Sequence, residues 1–223
     1  MLYIVSTPIG NIRDITLRAI DILRESDLIL AEDTRRTLNL LKKYEIRNQL
    51  DSFNDFNKEK KTSRIIGLLK QGKDIALVSD SGTPGISDPG FYLVRECVKN
   101  DIGIAPVPGP SAAIAALSCS GLPTDSFVFY GFIPKKEGKK KRFFEDLKKE
   151  DKTIILYESP HRINKTLKTI SETLPESDVV IARELTKKFE EFIRGKASDV
   201  YAKLKDKELK GEIVILINNT AVA

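Results

Sequence analysis

The stretch VSDSGTPGISDPG, Val78 to Gly90, follows an apolar run, DIALV, with the length and composition of a buried strand. It holds three glycines, two prolines and two aspartates, far more special backbone than a turn requires. Glycine lets backbone approach a ligand closely, and proline holds a loop's shape without donating a hydrogen bond. The stretch has no lysine or arginine, so it is no cradle for a triphosphate. Its carboxylates suit ribose hydroxyls, an ammonium or a sulfonium. Asp88 has a local use, because SDPGFYLV reads as a helix start with Asp88 at the N-cap and Pro89 at the first helical position. Asp80 has no such use and is the carboxylate expected to touch a ligand.

Other stretches could join it. AEDTRRT, Ala31 to Thr37, sets two acids beside two arginines, which suits either a self-satisfied ion cluster or a polar pocket. Asp33 or Thr34 could equally cap the next helix. STPIGN, Ser6 to Asn11, carries one glycine and is not G-x-G-x-x-G, and no G-x-x-x-x-G-K-[ST] occurs. Ordinary Rossmann and P-loop sites are thereby excluded. VPGPSAA, Val107 to Ala113, has side chains small enough for a flat ligand or for close helix packing. YESPHR, Tyr157 to Arg162, contains the only histidine, His161. Beside Arg162 at a helix start, His161 reads as a structural or positioning group before a general base. ARELTKKFEEF, Ala182 to Phe192, completes the set. One histidine and two distant cysteines make no zinc constellation, and no G-x-S-x-G elbow appears.

These stretches fall at the ends of strand-like runs, where open parallel sheets bind ligands. Strands are expected at 2–6, 28–31, 74–79, 104–109, 127–132, 153–159, 178–184, 189–195 and 211–218, with helices at 16–26, 34–44, 64–72, 89–101, 111–123, 142–150, 162–175 and from Ser198 as N-cap. The alternation predicts a mainly parallel sheet covered on both faces and two α/β domains, 1–112 and 113–223. At 223 residues, 41% hydrophobic and 31% charged, the chain has ample core for independent folding. No apolar run is long enough to span a membrane, and MLYIVSTPIG is not expected to be a signal peptide. Cys97 and Cys119 are read as buried thiols, and the cytoplasm is the expected compartment. Residues 1–112 carry a net charge of +1 and residues 113–223 of +4. The excess sits in KKEGKKKR, Lys135 to Arg142, where six of eight residues are basic. Such a cluster suits a phosphate backbone, although a solvated loop would look the same.

In order, TPIGNIRDITLRA, AEDTRRT, SDSGTPGISDPG, PGPSA, YESPHR and ARELTKKFEE resemble the tetrapyrrole-methylase superfamily of AdoMet-dependent methyltransferases over nearly the whole chain. The match is best to the branch that methylates a cytidine 2'-hydroxyl in 16S rRNA, at the decoding centre of the small ribosomal subunit. Tetrapyrrole-modifying relatives tend to have a glycine-rich first loop and a GDP-type motif, where this chain has STPIGN and SDSGTP. The resemblance implies two α/β domains of the tetrapyrrole-methylase type, with AdoMet in the cleft between them, usually in a homodimer without a metal. By position, Ile9, Ser79, Asp80, Gly82, Thr83, Ser111, Ala112, Glu158 and Leu185 are the implied cofactor contacts. Asp33, Arg35, Glu184 and Lys187 are the catalytic candidates, as base or well-placed cation. An RNA surface would combine Lys135, Lys136, Lys139, Lys140, Lys141 and Arg142 with Arg36, Arg162 and Arg183. The alternatives are a small-molecule methyltransferase acting on an acidic tetrapyrrole and a non-catalytic RNA-binding module.

Overall fold

The computed structural model describes residues 1–88 and 90–219, and the expected helical start at Pro89 lies outside the described residues. The chain divides into two compact units, Met1–Ser111 and Ala112–Ala223.

The first unit is a five-stranded sheet of β1 (Leu2–Val5), β2 (Leu28–Ala31), β3 (Leu50–Ser52), β4 (Ile75–Val78) and β5 (Ile104–Val107), in the order β3-β2-β4-β1-β5. Every pairing is parallel. The helices are α1 (Leu17–Glu25), α2 (Thr34–Lys43), α3 (Lys58–Lys70) and α4 (Gly90–Lys99). β2 and β4, LILA and IALV, are buried at every position because both faces are covered. Alternate side chains feed two cores: Ile29 and Ala31 pack with Ala19, Leu23 and Leu41, while Leu28 and Leu30 pack with Ile65, Leu69 and Leu93. Thr16 caps α1 by accepting from the Ala19 amide, and Asp33 caps α2 by accepting from that of Arg35. α3 ends as its sequence suggests. Gly72, at φ +85°, donates to Leu69, and the Lys73 amide donates to Leu68. β3 has no strand signal in the sequence, because LDS carries only one apolar residue.

The second unit contains α5 (Ala112–Ser118), β6 (Phe127–Phe132), α6 (Glu137–Asp146), β7 (Thr153–Glu158), α7 (Ile163–Thr173), β8 (Asp178–Arg183), β9 (Glu191–Lys196), α8 (Ala197–Leu204) and β10 (Ile213–Asn218). Its sheet runs β6-β7-β10-β8-β9. Here the expectation of a mainly parallel sheet is corrected, since among the described residues only β6 and β7 pair in parallel. β8 returns directly as β9, and β10 inserts antiparallel to both neighbours. Ile154, Leu156, Val179, Ile181, Ile213 and Ile215 face a core closed by Phe144, Leu167 and Val200.

Three local expectations also change. α6 begins at Glu137 rather than 142, so most of the basic segment is helix rather than loop. Lys196, not Ser198, is the N-cap of α8. Cys97 is buried, and burial pushes its thiol up to about 11, but Cys119, past the end of α5, is exposed.

Candidate functional site

Because the first sheet is parallel throughout, the segments after β1, β2, β4 and β5 leave from one edge. Hydrogen bonds knit them together. Thr7 and Gly82 exchange backbone bonds, Thr7 to Gly82 at 2.9 Å and the return at 3.1 Å. The Thr7 hydroxyl donates to the Ser79 carbonyl at 3.1 Å, and the hydroxyls of Ser6 and Thr83 meet at 2.9 Å. Gly82 needs to be glycine: its φ is +81°, and a Cβ there would already touch Cγ2 of Ile9 at 3.6 Å. Ile9 and Ser79 are buried beneath this junction.

Asp80 is where the structure adds most. Its Oδ1 accepts the Asp33 amide at 2.9 Å, and its Oδ2 pairs with Arg36 at 3.3 Å. The reading of Asp80 as free of structural work is therefore corrected, since it fastens the β2 segment to the β4 loop. Asp88 behaves as a helix-start residue, with Oδ1 accepting the amides of Gly85 and Gly90, both at 2.7 Å. Burial still pushes its carboxyl above the usual aspartate range.

Nothing in the AED motif itself distinguishes Glu32 from Asp33. Glu32 lines a narrow crevice with Ser79, Pro84 and Asp88. Burial pushes its carboxyl up, and the negative field of Asp80 adds to the effect. Asp33 goes the opposite way, held at about 2 by the Arg35 side chain that pairs with it at 2.7 Å. A carboxylate so stabilised as its anion is a poor base, which corrects Asp33 as a candidate for that role.

The folded protein holds a proton on Glu32 more tightly than the unfolded chain does. This group's contribution to stability is therefore fully present below the ordinary glutamate value and is lost as pH rises through the raised folded value. Glu32→Gln is expected to flatten the pH dependence of the melting temperature in that window and to raise the melting temperature at neutral pH. An unchanged pH profile of thermal unfolding would contradict the assigned environment.

In the second unit the candidates are largely engaged by one another. The buried Glu158 carboxylate pairs with Arg162 at 2.5 Å, and accepts the Ser159 amide at 2.7 Å and the Thr166 hydroxyl at 2.6 Å. Its side chain is thus occupied within its own unit, and Arg162, which also donates to the Ile133 carbonyl at 3.2 Å, is not an open cation for RNA. Arg183 pairs with Glu191 at 2.8 Å and donates to the Lys210 carbonyl at 2.9 Å. Lys187 bridges Glu184 at 2.9 Å and Glu212 at 3.2 Å. The Lys187 bond holds the Glu184 carboxyl below its usual range, correcting Glu184 as a base. Burial works against the Lys187 ammonium, but the two carboxylates outweigh it and its pKa rises. This loop is strained, with Glu184 at φ +51° and Thr186 at +64°. Glu184 lies over Gly211, where a Cβ would collide with its carboxylate. Leu185 is buried, while Ser111 and Ala112 are half-buried.

The basic segment divides by helix phase. Lys135, Lys136, Lys139, Lys141 and Arg142 are exposed. Lys140 is 2% exposed on the face of α6 that also carries the buried Phe144, with its ammonium 3.2 Å from Glu137. It is removed from the RNA surface for that reason. Among the described residues, no group of three His, Cys, Asp or Glu side chains is arranged to hold a metal, and no helix is long and apolar enough to cross a membrane.

Comparison with known proteins gives these loops a family. Residues 1–201 match the model for tetrapyrrole (corrin/porphyrin) methylases. The chain is 49% identical over 217 residues to ribosomal RNA small subunit methyltransferase I of Thermotoga maritima, covering 97% of each chain. It is 46% identical over 222 residues to the protein of the same name from Bacillus subtilis, covering 99% of this chain and 75% of the other. Among solved structures, uroporphyrin-III C-methyl transferase from Thermus thermophilus, complexed with S-adenyl homocysteine, superposes with a TM-score of 0.66 at 17% identity, covering 96% of each chain. At that identity the likeness concerns the fold. With the family model spanning most of its length and near-half identity to full-length relatives, this chain belongs to the tetrapyrrole (corrin/porphyrin) methylase family, alongside the relatives named ribosomal RNA small subunit methyltransferase I.

Proposed function

We propose that this chain is a cytoplasmic, homodimeric rRNA methyltransferase that uses AdoMet to methylate the 2'-hydroxyl of a decoding-centre cytidine in 16S rRNA. The observation that carries the reading is the 49% identity, over 97% of both chains, to a relative named for small-subunit rRNA methylation. The strand-end edge of the first unit suits the cofactor. Its segments bring together the carboxylates of Glu32, Asp80 and Asp88, with Arg35 and Arg36 already paired to Asp33 and Asp80, a set that suits a cation and a ribose diol. Asp80, Ser79, Gly82, Thr83 and Ile9 are the proposed contacts there, and Ser111, Ala112 and Leu185 are proposed on their family positions alone.

AdoMet supplies a methyl group already activated on a sulfonium, so the chain's own work is to position and to accept a proton. A ribose hydroxyl is a weak nucleophile. Burial pushes up both Glu32 and Asp88 on this edge, and Asp88 Oδ1 is taken by the Gly85 and Gly90 amides, so Glu32 is the acid proposed to take that proton. Arg35 and Lys187 stay protonated and act only as cations. A cytidine in folded rRNA must be presented out of its stack, so a loop or an assembled subunit is the substrate this reading requires.

The test is methyl transfer from tritiated AdoMet, with small ribosomal subunits and precorrin-type tetrapyrroles offered in parallel. Label is expected in 16S rRNA; label in the tetrapyrrole alone would replace this reading with a small-molecule methyltransferase. The basic helix adds a second expectation. Neutralising Lys139, Lys141 and Arg142 together should weaken rRNA binding and reduce the slope of log affinity against log salt by about 2, at roughly 0.7 per single-strand phosphate contact. AdoMet affinity should not move. An unchanged salt slope would take the helix out of the RNA interface.

A further inference from the structure

The first unit exposes large apolar side chains on the segments that follow β3 and β4. Phe56 is fully exposed, Phe91 is 62% exposed and Ile86 54%. Clustered exposure of this kind marks a surface that something covers. Phe56 and Ile86 adjoin, in sequence, residues of an open cavity of about 350 Å3 lined by Asp55, Lys58, Ser87, Asp88, Phe91 and Tyr92. That volume falls within the range of about 300–1,000 Å3 common for ligand pockets. Cations stand over its rings: the Arg95 guanidinium is 5.1 Å from the Tyr92 centroid and 6.0 Å from that of Phe91, and the Lys58 ammonium is 5.9 Å from Tyr92. Asp88 lines both this cavity and the crevice that holds Glu32 and Ser79. The cavity therefore adjoins the edge proposed to hold AdoMet.

Each part has a counterpart in a single-stranded nucleotide. A base stacks on aromatic rings and guanidinium planes; Lys58, paired with Asp55 at 2.6 Å, and Arg95, 3.4 Å from Glu96, each keep further N–H donors for a phosphate. Asp55 Oδ1 is held by Lys58, so its second carboxylate oxygen and the hydroxyl of Ser87 are the acceptors for an exocyclic amine, as acids are for cytosine. A second copy of this chain is a poorer occupant, because the cores of protein interfaces are depleted of charge and this cavity carries carboxylates and an ammonium. We propose that this cavity receives an unstacked, amino-bearing nucleoside of the rRNA substrate. The proposal rests on the rRNA reading above.

The test uses the full chain with small ribosomal subunits. Phe91→Ala removes an exposed ring, and Asp55→Asn keeps the shape while removing a charge. Phe91→Ala is expected to raise KM for subunits about tenfold, the scale of losing one base–aromatic stack, with AdoMet affinity by calorimetry unchanged. A photoreactive benzoylphenylalanine at position 91 is expected to cross-link to 16S rRNA. KM within twofold of wild type for both variants overturns the proposal, as does a cross-link to a second copy of the chain, which would make the face a dimer contact. Weakened AdoMet binding in Phe91→Ala assigns the ring to the cofactor and likewise overturns it. Wild-type protein that methylates no subunit overturns the rRNA reading itself, an outcome distinguishable from active wild type with equally active variants.

Discussion

An Asp80→Ala protein is expected to bind AdoMet roughly 100-fold more weakly by calorimetry than the unaltered chain. In the structure Asp80 has two jobs at once. Its Oδ1 takes the Asp33 amide and its Oδ2 holds Arg36, so its loss frees the β2 segment from the β4 loop. The part-buried amide bond to a carboxylate contributes about 1.5–3 kcal/mol, and the solvent-exposed Arg36 pair adds no more than about 1 kcal/mol. The proposed direct contact with the cofactor adds to that structural loss. Asp80→Asn separates the two, because an amide oxygen still accepts from Asp33 while the charge is gone. It should fold as the parent does and lose affinity in part. Undiminished AdoMet affinity in Asp80→Ala would remove this loop from the cofactor site.

Glu158→Ala should act on stability instead. Alanine there leaves the Arg162 guanidinium, the Ser159 amide and the Thr166 hydroxyl without their shared acceptor. Breaking a buried ion pair from one side costs about 3–5 kcal/mol. For a protein of this size each kcal/mol is worth about 2–4 °C in melting temperature, so a fall of roughly 6–20 °C is expected in thermal unfolding. Protein that remains folded below its transition should keep AdoMet affinity. The opposite pattern, an unchanged melting temperature with weakened AdoMet binding, would restore Glu158 as a cofactor contact and contradict its role as a strut.

The contrast between these residues shows what the chain makes legible. LILA and IALV announce buried strands through their own composition, and the QGK ending of α3 announces its turn. Such signals are local. Parallel strands joined by helices also imply a common edge for the loops, so STPIGN, AEDTRRT and SDSGTPG group together on their places in the sequence alone. Strand direction in the second unit has no comparable signal. IVILIN is equally apolar whichever way it runs, and β10 inserts antiparallel through contacts distant in sequence. Asp80 and its partners on the β2 segment are likewise tertiary neighbours, invisible in a motif read alone. Lys140 is a different case. With α6 starting at Glu137, the spacing of Lys140, Phe144 and Leu147 places the lysine on the buried face, a periodicity masked by reading KKEGKKKR as charge alone.

Exposure and pairing also reshape the catalytic choices. Asp33 and Glu184 are conspicuous in sequence because they sit beside Arg35 and near Lys187. Those neighbours stabilise their anions and make them weak bases. Glu32, one residue from Asp33, has burial and like charges around it instead, and its carboxyl moves up. Adjacent acids in one motif thus have opposite proton affinities, set by which way each side chain points.

Ribose methylation of small-subunit rRNA is tested most directly by nucleotide-resolution mapping of 2'-O-methyl groups in 16S rRNA from cells with and without this protein. One cytidine in the decoding centre is expected to carry the mark when the protein is present and to lose it when the protein is absent. The mark should return with the unaltered chain but not with Asp80→Ala. Identical 2'-O-methylation maps in the two cell lines would contradict the proposed activity.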